Sequence, residues 1–316
     1  MTSGFHSHWR SDLTTFLAYR RAFGGSYGQH EVVLRNFDQF AAAHPDASIQ
    51  DTINHRLVQS THAKPASIAT YVRIVRQFCL FLRRSDPNTF VPDRVAPVAS
   101  AAPCFKPVVL SRIQVHRLLK ETRQAGPAIE QARIRILLLV LYCTGLRIGE
   151  ALRLKLADVD LEERCFRIAP SKGRSRVVPF RRDLARELDR WLRLREHTGF
   201  VLGPQTTLFE DGSGRPARYR EVYERLVGLF RTLGLKPDRG RLGLRIHDLR
   251  HTFCIHRLEA WYRSRQQPDP LLPFLSAYLG HLNLSGTERY LRATPTLLAT
   301  AAQRFRRSLD LKGPSA

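Results

Sequence analysis

Apolar residues recur at helical spacing through the first third of the chain. The pattern predicts amphipathic helices over residues 8–23, 29–43 and 49–58, and a fourth that begins at Pro65. Proline suits the first turn of a helix, because its missing N–H would have no intrahelical partner there. Helices with one apolar face each bury that face against one another, so we expect this region to fold as a helical bundle.

A change in composition separates this bundle from the rest of the chain. Five prolines and an Ala/Ser-rich stretch lie between Asp86 and Pro107. Such a segment cannot continue a helix and is typical of a linker. We therefore predict two domains, residues 1–104 and residues 105–316.

The pattern of the second domain is mostly helical, with one β-hairpin. Ser111 and Gln114 form a predicted capping box, and Gly145 is placed to end a long apolar helix. Strands are predicted at 165–169 and 176–180 around a turn at 171–174. Helices are predicted at 128–142, from 147, and at 183–197, 218–233, 246–261, 273–279 and 294–309. The predicted fold class is therefore mainly α with a small β-sheet (α+β).

The net charge of the chain indicates which kinds of binding partner to expect. The 316 residues carry a net charge of +23, of which +4 falls in residues 1–104 and +19 in the remainder. Such an excess attracts polyanions, and nucleic acid is the first candidate. The five cysteines are widely spaced without metal-ligand spacing, and the longest apolar run, 136–142, is too short to span a bilayer. We expect a cytoplasmic, nucleoid-associated protein that binds neither metal nor membrane.

Several side chains match the needs of phosphodiester cleavage without a metal. Such a reaction requires a nucleophile, a proton donor for the leaving oxygen and cations for the non-bridging oxygens. Arg147 follows a glycine break, His247 and Arg250 share one helix face by their spacing, and Tyr290 lies near the C-terminus. Lys172 lies in the hairpin turn. Taken singly, each of these residues is more often a surface charge or a packing residue.

Taken together, these segments resemble the tyrosine recombinases of the phage integrase family. The resembling segments are Thr144–Leu152, the box His247-x-x-Arg250, Leu279-Gly280-His281 with Tyr290 nine residues on, and the hairpin from Ser171 to Pro179. The resemblance covers residues 109–293 by motif and residues 8–84 by helical pattern. Gly149 departs from the serine or threonine common at that position. The resemblance implies a helical core-binding domain followed by a catalytic domain.

The resemblance also implies a role for each matched residue. Tyr290 would be the nucleophile that forms a 3′-phosphotyrosine, while Arg147, Arg250 and His281 would hold the scissile phosphate. Lys172 would be the general acid and His247 would assist proton transfer, with Glu150 supporting the site. The resemblance further implies that no cofactor is needed and that a homo-tetramer acts on two double-stranded DNA sites. The helix at 294–309 would then either be exchanged between protomers or pack on its own domain.

Other interpretations stay open at this stage. Arg73, Arg76, Arg83 and Arg84 on the fourth helix, and Arg174 and Arg176 in the hairpin, are further candidate DNA contacts or simply solvated charges. Tyr278 is a rival for the nucleophile, although it precedes His281 within a helical pattern. Alternative functions are a type IB-like topoisomerase and a non-catalytic DNA-binding regulator of the same fold. The leading hypothesis is a site-specific recombinase or integrase, typical of a mobile element.

Overall fold

The computed structural model divides the chain into two compact units, Met1–Phe105 and Lys106–Ala316. It describes residues 4–23, 27–59, 65–94, 107–124, 126–169, 175–200, 202–211, 215–240, 242–264 and 269–281. Lys172, Arg174, Tyr290 and the predicted helix at 294–309 lie outside the described residues. Among the described helices, none has the length and apolarity needed to cross a membrane.

The N-terminal unit is a bundle of helices. Its described helices are α1 (Arg10–Ala22), α2 (Gly28–Ala43), α3 (Ile49–Gln59) and α4 (Pro65–Leu82). The ring of Phe78 on α4 lies edge-on to Phe16 and Phe37, with centroids 5.6 and 6.0 Å apart. The segment before α1 is fixed to the bundle through Asp38, which accepts hydrogen bonds from the backbone N–H of His6 and Ser7 and from the Ser7 hydroxyl.

The C-terminal unit is built around one apolar helix. Its described helices are α5 (Arg112–Glu121), α6 (Ala128–Thr144), α7 (Ile148–Ala151), α8 (Arg182–His197), α9 (Tyr219–Thr232), α10 (Ile246–Arg263) and α11 (Leu272–Leu279). Helix α6 packs against α8 and α10 and buries residues on most of its circumference. This explains why its sequence is apolar nearly all round. The capping box of Ser111 and Gln114 is present at the start of α5.

A small antiparallel sheet of order β1-β2-β3 flanks the helices of this unit. Its strands are β1 (Val159–Asp160), β2 (Cys165–Ile168) and β3 (Arg176–Pro179). Phe166 pairs with Val178, and both are fully buried. The mainly helical fold with a small sheet confirms the predicted fold class. The pattern did not predict β1, which is two residues long and exists through its pairing with β2.

Candidate active site

Glu150 is a buried carboxylate that anchors two arginines. It is the third residue of α7, and its Oε2 accepts the backbone N–H of Arg147 at 2.9 Å, which caps this short helix. Its Oε1 accepts Nη1 of Arg147 at 2.9 Å, and Arg176 donates to both carboxylate oxygens at 3.2 and 2.9 Å. Burial alone would raise the pKa of Glu150, but these hydrogen bonds and the two positive charges lower it to about 2.

Arg147 is the more open of the two arginines. The side chain of Arg147 is 40% exposed, whereas that of Glu150 is 3% exposed. The carboxylate therefore holds the guanidinium of Arg147 on one side and leaves its other side accessible to solvent. A guanidinium held in this way can receive an anion without first losing side-chain freedom.

Arg250 is held by the ends of two helices. Its Nη1 donates to the carbonyl of Gly145 at the end of α6, and its Nη2 donates to the carbonyl of Leu279 at the end of α11, both at 2.7 Å. Carbonyl groups at helix C-termini lack intrahelical partners and carry partial negative charge, so they suit a guanidinium. Arg250 is 2% exposed. Its position is consequently fixed by the backbone carbonyls at these two helix ends.

Gly145 allows these elements to come together. It ends α6 in the left-handed conformation, with φ of 63°. A Cβ atom at this position would lie 2.6 Å from Cδ1 of Phe253 on α10 and 3.2 Å from Cδ2 of Leu279 on α11. Both the conformation and the close approach require glycine. Gly145 is thus the point where α6, α10 and α11 meet.

His281 lies directly after α11 and contacts Arg250. Nη2 of Arg250 lies 3.0 Å from Nε2 of His281. A guanidinium has no acceptor, so in this contact the imidazole nitrogen accepts the hydrogen bond. Gly280, with φ of 68°, ends α11 and turns the chain so that His281 follows it at the site. A single phosphate could contact both side chains.

His247 completes the group from the first turn of α10. The helix is capped by Arg245, the residue before it, whose backbone N–H donates to the buried carboxylate of Asp248 at 2.9 Å. Protein atoms packed around the imidazole lower the pKa of His247 to about 4, and the charges of Arg250 and Arg147 act in the same direction. The residue still has an exposed side. A neutral imidazole beside two guanidinium groups can accept a proton at neutral pH.

Tyr278 is occupied elsewhere. Its hydroxyl donates to the carbonyl of Pro179 at 3.1 Å, and its ring stacks on Phe253 with centroids 5.6 Å apart. Burial raises the pKa of its hydroxyl. A tyrosine that is hydrogen-bonded to the sheet and hard to ionise is poorly suited to be a nucleophile. This leaves Tyr290 as the candidate.

The structure therefore gathers five of the predicted site residues at one place: Arg147, Glu150, His247, Arg250 and His281. It does so although they come from three separate segments of the sequence. The predictions for Lys172, Arg174 and Tyr290 fall outside the described residues. Arg176 lies at the site but faces inward, with 11% of its side chain exposed. A signal for this was available, because strand alternation places Arg176 on the same face of β3 as buried Val178.

Four candidate arginines of the N-terminal unit, two on α4 and two directly after it, differ in their surroundings. Arg73 is exposed, and with Arg76 it lines a cavity of about 520 Å³. Arg76 is half-buried and donates to the carbonyl of Pro92. Arg83 donates to the carbonyl of Pro87 at 3.2 Å, and Arg84 stacks over the ring of Tyr19 at 4.9 Å. Arg73 thus has the most open position, while the other three also hold local structure.

Comparison with known proteins identifies the family of the chain. The sequence profile of the phage integrase family matches residues 109–296, which is more than half of the chain. The chain therefore belongs to the phage integrase family, the family of tyrosine recombinases that its motifs resemble. It is an enzyme of site-specific DNA recombination.

Individual relatives match over most of their length. The chain is 31% identical to the tyrosine recombinase XerC of Roseiflexus castenholzii, over 89% of this chain and 81% of the relative. It is 29% identical to y4rB, an inferred integrase/recombinase of Sinorhizobium fredii, over 95% of this chain and 98% of the relative. The structure is similar to that of the Tn1549 transposon integrase in complex with circular intermediate DNA, with a TM-score of 0.63 and 18% identity, covering 93% of this chain and 99% of that one.

Proposed function

We propose that this recombinase cuts and rejoins double-stranded DNA through a 3′-phosphotyrosine formed by Tyr290, without metal or ATP. The observation that carries the proposal is the convergence of Arg147, Arg250, His247 and His281 around one place. Two fixed guanidinium groups can neutralise the charge that develops on the non-bridging oxygens of a phosphodiester. The partner is double-stranded DNA, as in the solved complex of the Tn1549 integrase.

The proposed step conserves the number of phosphodiester bonds. The Tyr290 hydroxyl oxygen bonds to phosphorus as the bond between phosphorus and the 5′ oxygen breaks. The tyrosine proton leaves to a base, with His247 assisting the transfer, and Lys172 donates a proton to the 5′ oxygen. Attack by a 5′-hydroxyl of another strand reverses the step and releases Tyr290. The energy of the broken bond is kept in the phosphotyrosine, so rejoining needs no ATP.

The electrostatics of the site favour this chemistry. Tyrosine has an unperturbed pKa of about 10, so its ionisation needs nearby positive charge. Glu150 neutralises only one of the two charges of Arg147 and Arg176, because both guanidinium groups share its single carboxylate. The site therefore keeps an excess of positive charge, which favours both a phosphate and a phenolate.

The proposal extends to the assembly and to the two units. Residues 1–104 would bind the DNA beside the cleavage point, with exposed Arg73 among the contacts, and residues 105–316 would carry the chemistry. Recombination between two duplex sites requires four strand cleavages, one for each Tyr290, so we propose a homo-tetramer in which the helix at 294–309 docks on a neighbouring protomer. Removal of residues 296–316 should then abolish pairing of two DNA sites while single-site binding persists.

Covalent capture tests the central claim and requires no assumption about the target sequence. The full chain is incubated with a library of nicked duplexes of random sequence, so that cleavage beside the nick releases a short strand and traps the adduct. Washing under denaturing conditions keeps only covalently bound DNA, which is then sequenced. We expect enrichment of one related set of sequences with the wild-type protein, in the presence of EDTA, and none with Tyr290→Phe.

Other results would point to other functions. Capture with no sequence preference, together with relaxation of supercoiled plasmid, would indicate a topoisomerase. Sequence-specific binding without any covalent adduct would indicate a regulator and would overturn the proposed chemistry. Tyr278→Phe is the matched control, because it removes the other tyrosine hydroxyl of the same segment and should leave capture in place.

A further inference from the structure

Arg176 occupies an unusual position for a basic residue of a DNA-binding hairpin. It is the first residue of β3 and lies four residues after Lys172 in the sequence. In the register of the sheet it pairs with Ile168, and only 11% of its side chain is exposed. An arginine that is buried to this degree must have its charge and its N–H groups satisfied within the protein.

Its guanidinium joins three elements that are distant in sequence. Nη1 and Nη2 donate to the two oxygens of Glu150 on α7 at 3.2 and 2.9 Å. On its other edge, Nε donates at 2.9 Å to the carbonyl of Tyr278, in the last turn of α11. A planar fork with donors on two edges can make these bonds simultaneously, which a lysine cannot. Strand β3, helix α7 and the end of α11 are therefore fixed to one side chain.

The backbone before His281 is shaped to receive this guanidinium. A Cβ atom on Gly280 would lie 2.7 Å from Nη1 and 2.9 Å from Cζ of Arg176. Glycine thus serves two purposes here, since it also adopts the left-handed conformation that ends α11. The guanidinium lies directly against the peptide that precedes His281, so a displacement of Arg176 would also displace His281.

We propose that Arg176 is a positioning residue of the active site, which sets His281 relative to the phosphate clamp of Arg147 and Arg250. This inference rests on the proposed phosphotyrosine chemistry. Glu150 is the common reference, because it binds Arg176 and Arg147 through the same carboxylate. The sequence placed Arg176 among the DNA contacts, but its hydrogen bonds are made inside the protein. Misplacing reacting groups by about 1 Å can cost about a hundredfold in rate.

The test compares Arg176→Gln with a matched substitution on the neighbouring strand. Arg167→Gln removes the same charge from β2, where the side chain is 56% exposed and pairs with Asp160 at 2.6 Å. Each variant is assayed on a nicked duplex recovered by covalent capture with the wild-type protein. We expect Arg176→Gln to form the adduct about a hundredfold more slowly and to bind that duplex within about threefold of wild type. Arg167→Gln should behave like wild type in both assays.

A conservative variant separates positioning from a general loss of structure. Arg176→Lys, which keeps the charge but not the fork, should show a smaller defect and guards against a variant that fails to fold.

Three results would overturn the inference while leaving the proposed function intact. The first is adduct formation by Arg176→Gln at the wild-type rate. The second is a loss of DNA affinity that accounts for the slower cleavage, since that would make Arg176 a DNA contact. The third is a rate for Arg176→Gln that falls only in proportion to its folded fraction. Failure of the wild-type protein to form any adduct would instead overturn the proposed function itself.

Discussion

Two buried arginine–glutamate pairs in the C-terminal unit have similar chemistry and different surroundings. Arg195 on α8 pairs with Glu210, and their side chains are 0% and 1% exposed. Nη1 of Arg195 also donates to the carbonyls of Thr207 and Leu208, and Arg133 donates to the carbonyl of Glu210. The second pair, Arg176 and Glu150, is nearly as buried, but Glu150 binds a further arginine.

The two pairs differ in the net charge that remains after pairing. At Arg195 one positive and one negative charge neutralise each other inside the protein, so the pair joins α8 to the loop that contains Glu210. At Glu150 one carboxylate is shared by two guanidinium groups, and one of these, Arg147, is 40% exposed. The same ion pair therefore stabilises the core in one place and fixes an open cation in the other. Burial of the carboxylate does not distinguish the two, whereas the number of arginines around it does.

The largest expected difference between the two pairs is in stability. It concerns the enclosed pair of Arg195 and Glu210. Arg195→Ala leaves the carboxylate of Glu210 buried without its partner, and we expect a loss of about 3–5 kcal/mol in the free energy of unfolding. Differential scanning calorimetry of the full chain would measure it. Adduct formation per folded molecule at low temperature should stay unchanged.

Arg193 on the same helix provides the control for that measurement. Its side chain is 70% exposed and it pairs with Asp189 at 3.0 Å. A surface pair of this kind contributes about 1 kcal/mol or less, so Arg193→Ala should barely alter stability. Equal losses in the two variants would refute the distinction between enclosed and surface pairs in this unit.

A somewhat smaller effect is expected on catalysis, at the open arginine. Arg147→Ala should slow adduct formation by about 10²–10³-fold, because one of the two groups that neutralise the phosphate is removed. The melting temperature should change little, since Glu150 keeps its bonds to Arg176. DNA affinity should largely persist, because it is spread over many phosphate contacts. Rates that fall only in proportion to the folded fraction would contradict the assignment.

The smallest effect is a pH dependence of the free energy of unfolding, which arises from the carboxylate of Glu150. Its pKa is about 2 in the folded chain, against 4.5 as the ordinary value. The folded state therefore holds the carboxylate ionised, and this contribution is complete above pH 4.5 and is lost as the pH falls towards 2. Thermal unfolding of wild type and Glu150→Gln at several pH values should show a difference that shrinks below pH 4.5; a constant difference would reject this account.

Local features of the sequence predicted much of the helical structure. The capping box of Ser111 and Gln114 and the left-handed Gly145 depend on neighbouring residues only, and both are present. The pattern did not predict strand β1, because two residues are too few to show a periodicity. The strand forms only by pairing with β2. Arg176 was likewise predicted only as a candidate DNA contact or a solvated charge. Its partners on α7 and α11 are distant along the chain, so the local pattern could not reveal them.

Amino-acid order alone was sufficient for the helices, the hairpin, the excess of positive charge and the residue types that the chemistry needs. These depend on spacing, capping and composition, which are properties of neighbouring residues. The folded arrangement was needed to show that Arg147 stays open while Arg176 is enclosed, and that the carbonyls of Gly145 and Leu279 hold Arg250. Those outcomes depend on which helix ends and strands meet in space, because a guanidinium is fixed by whatever acceptors surround it and not by its neighbours in the chain.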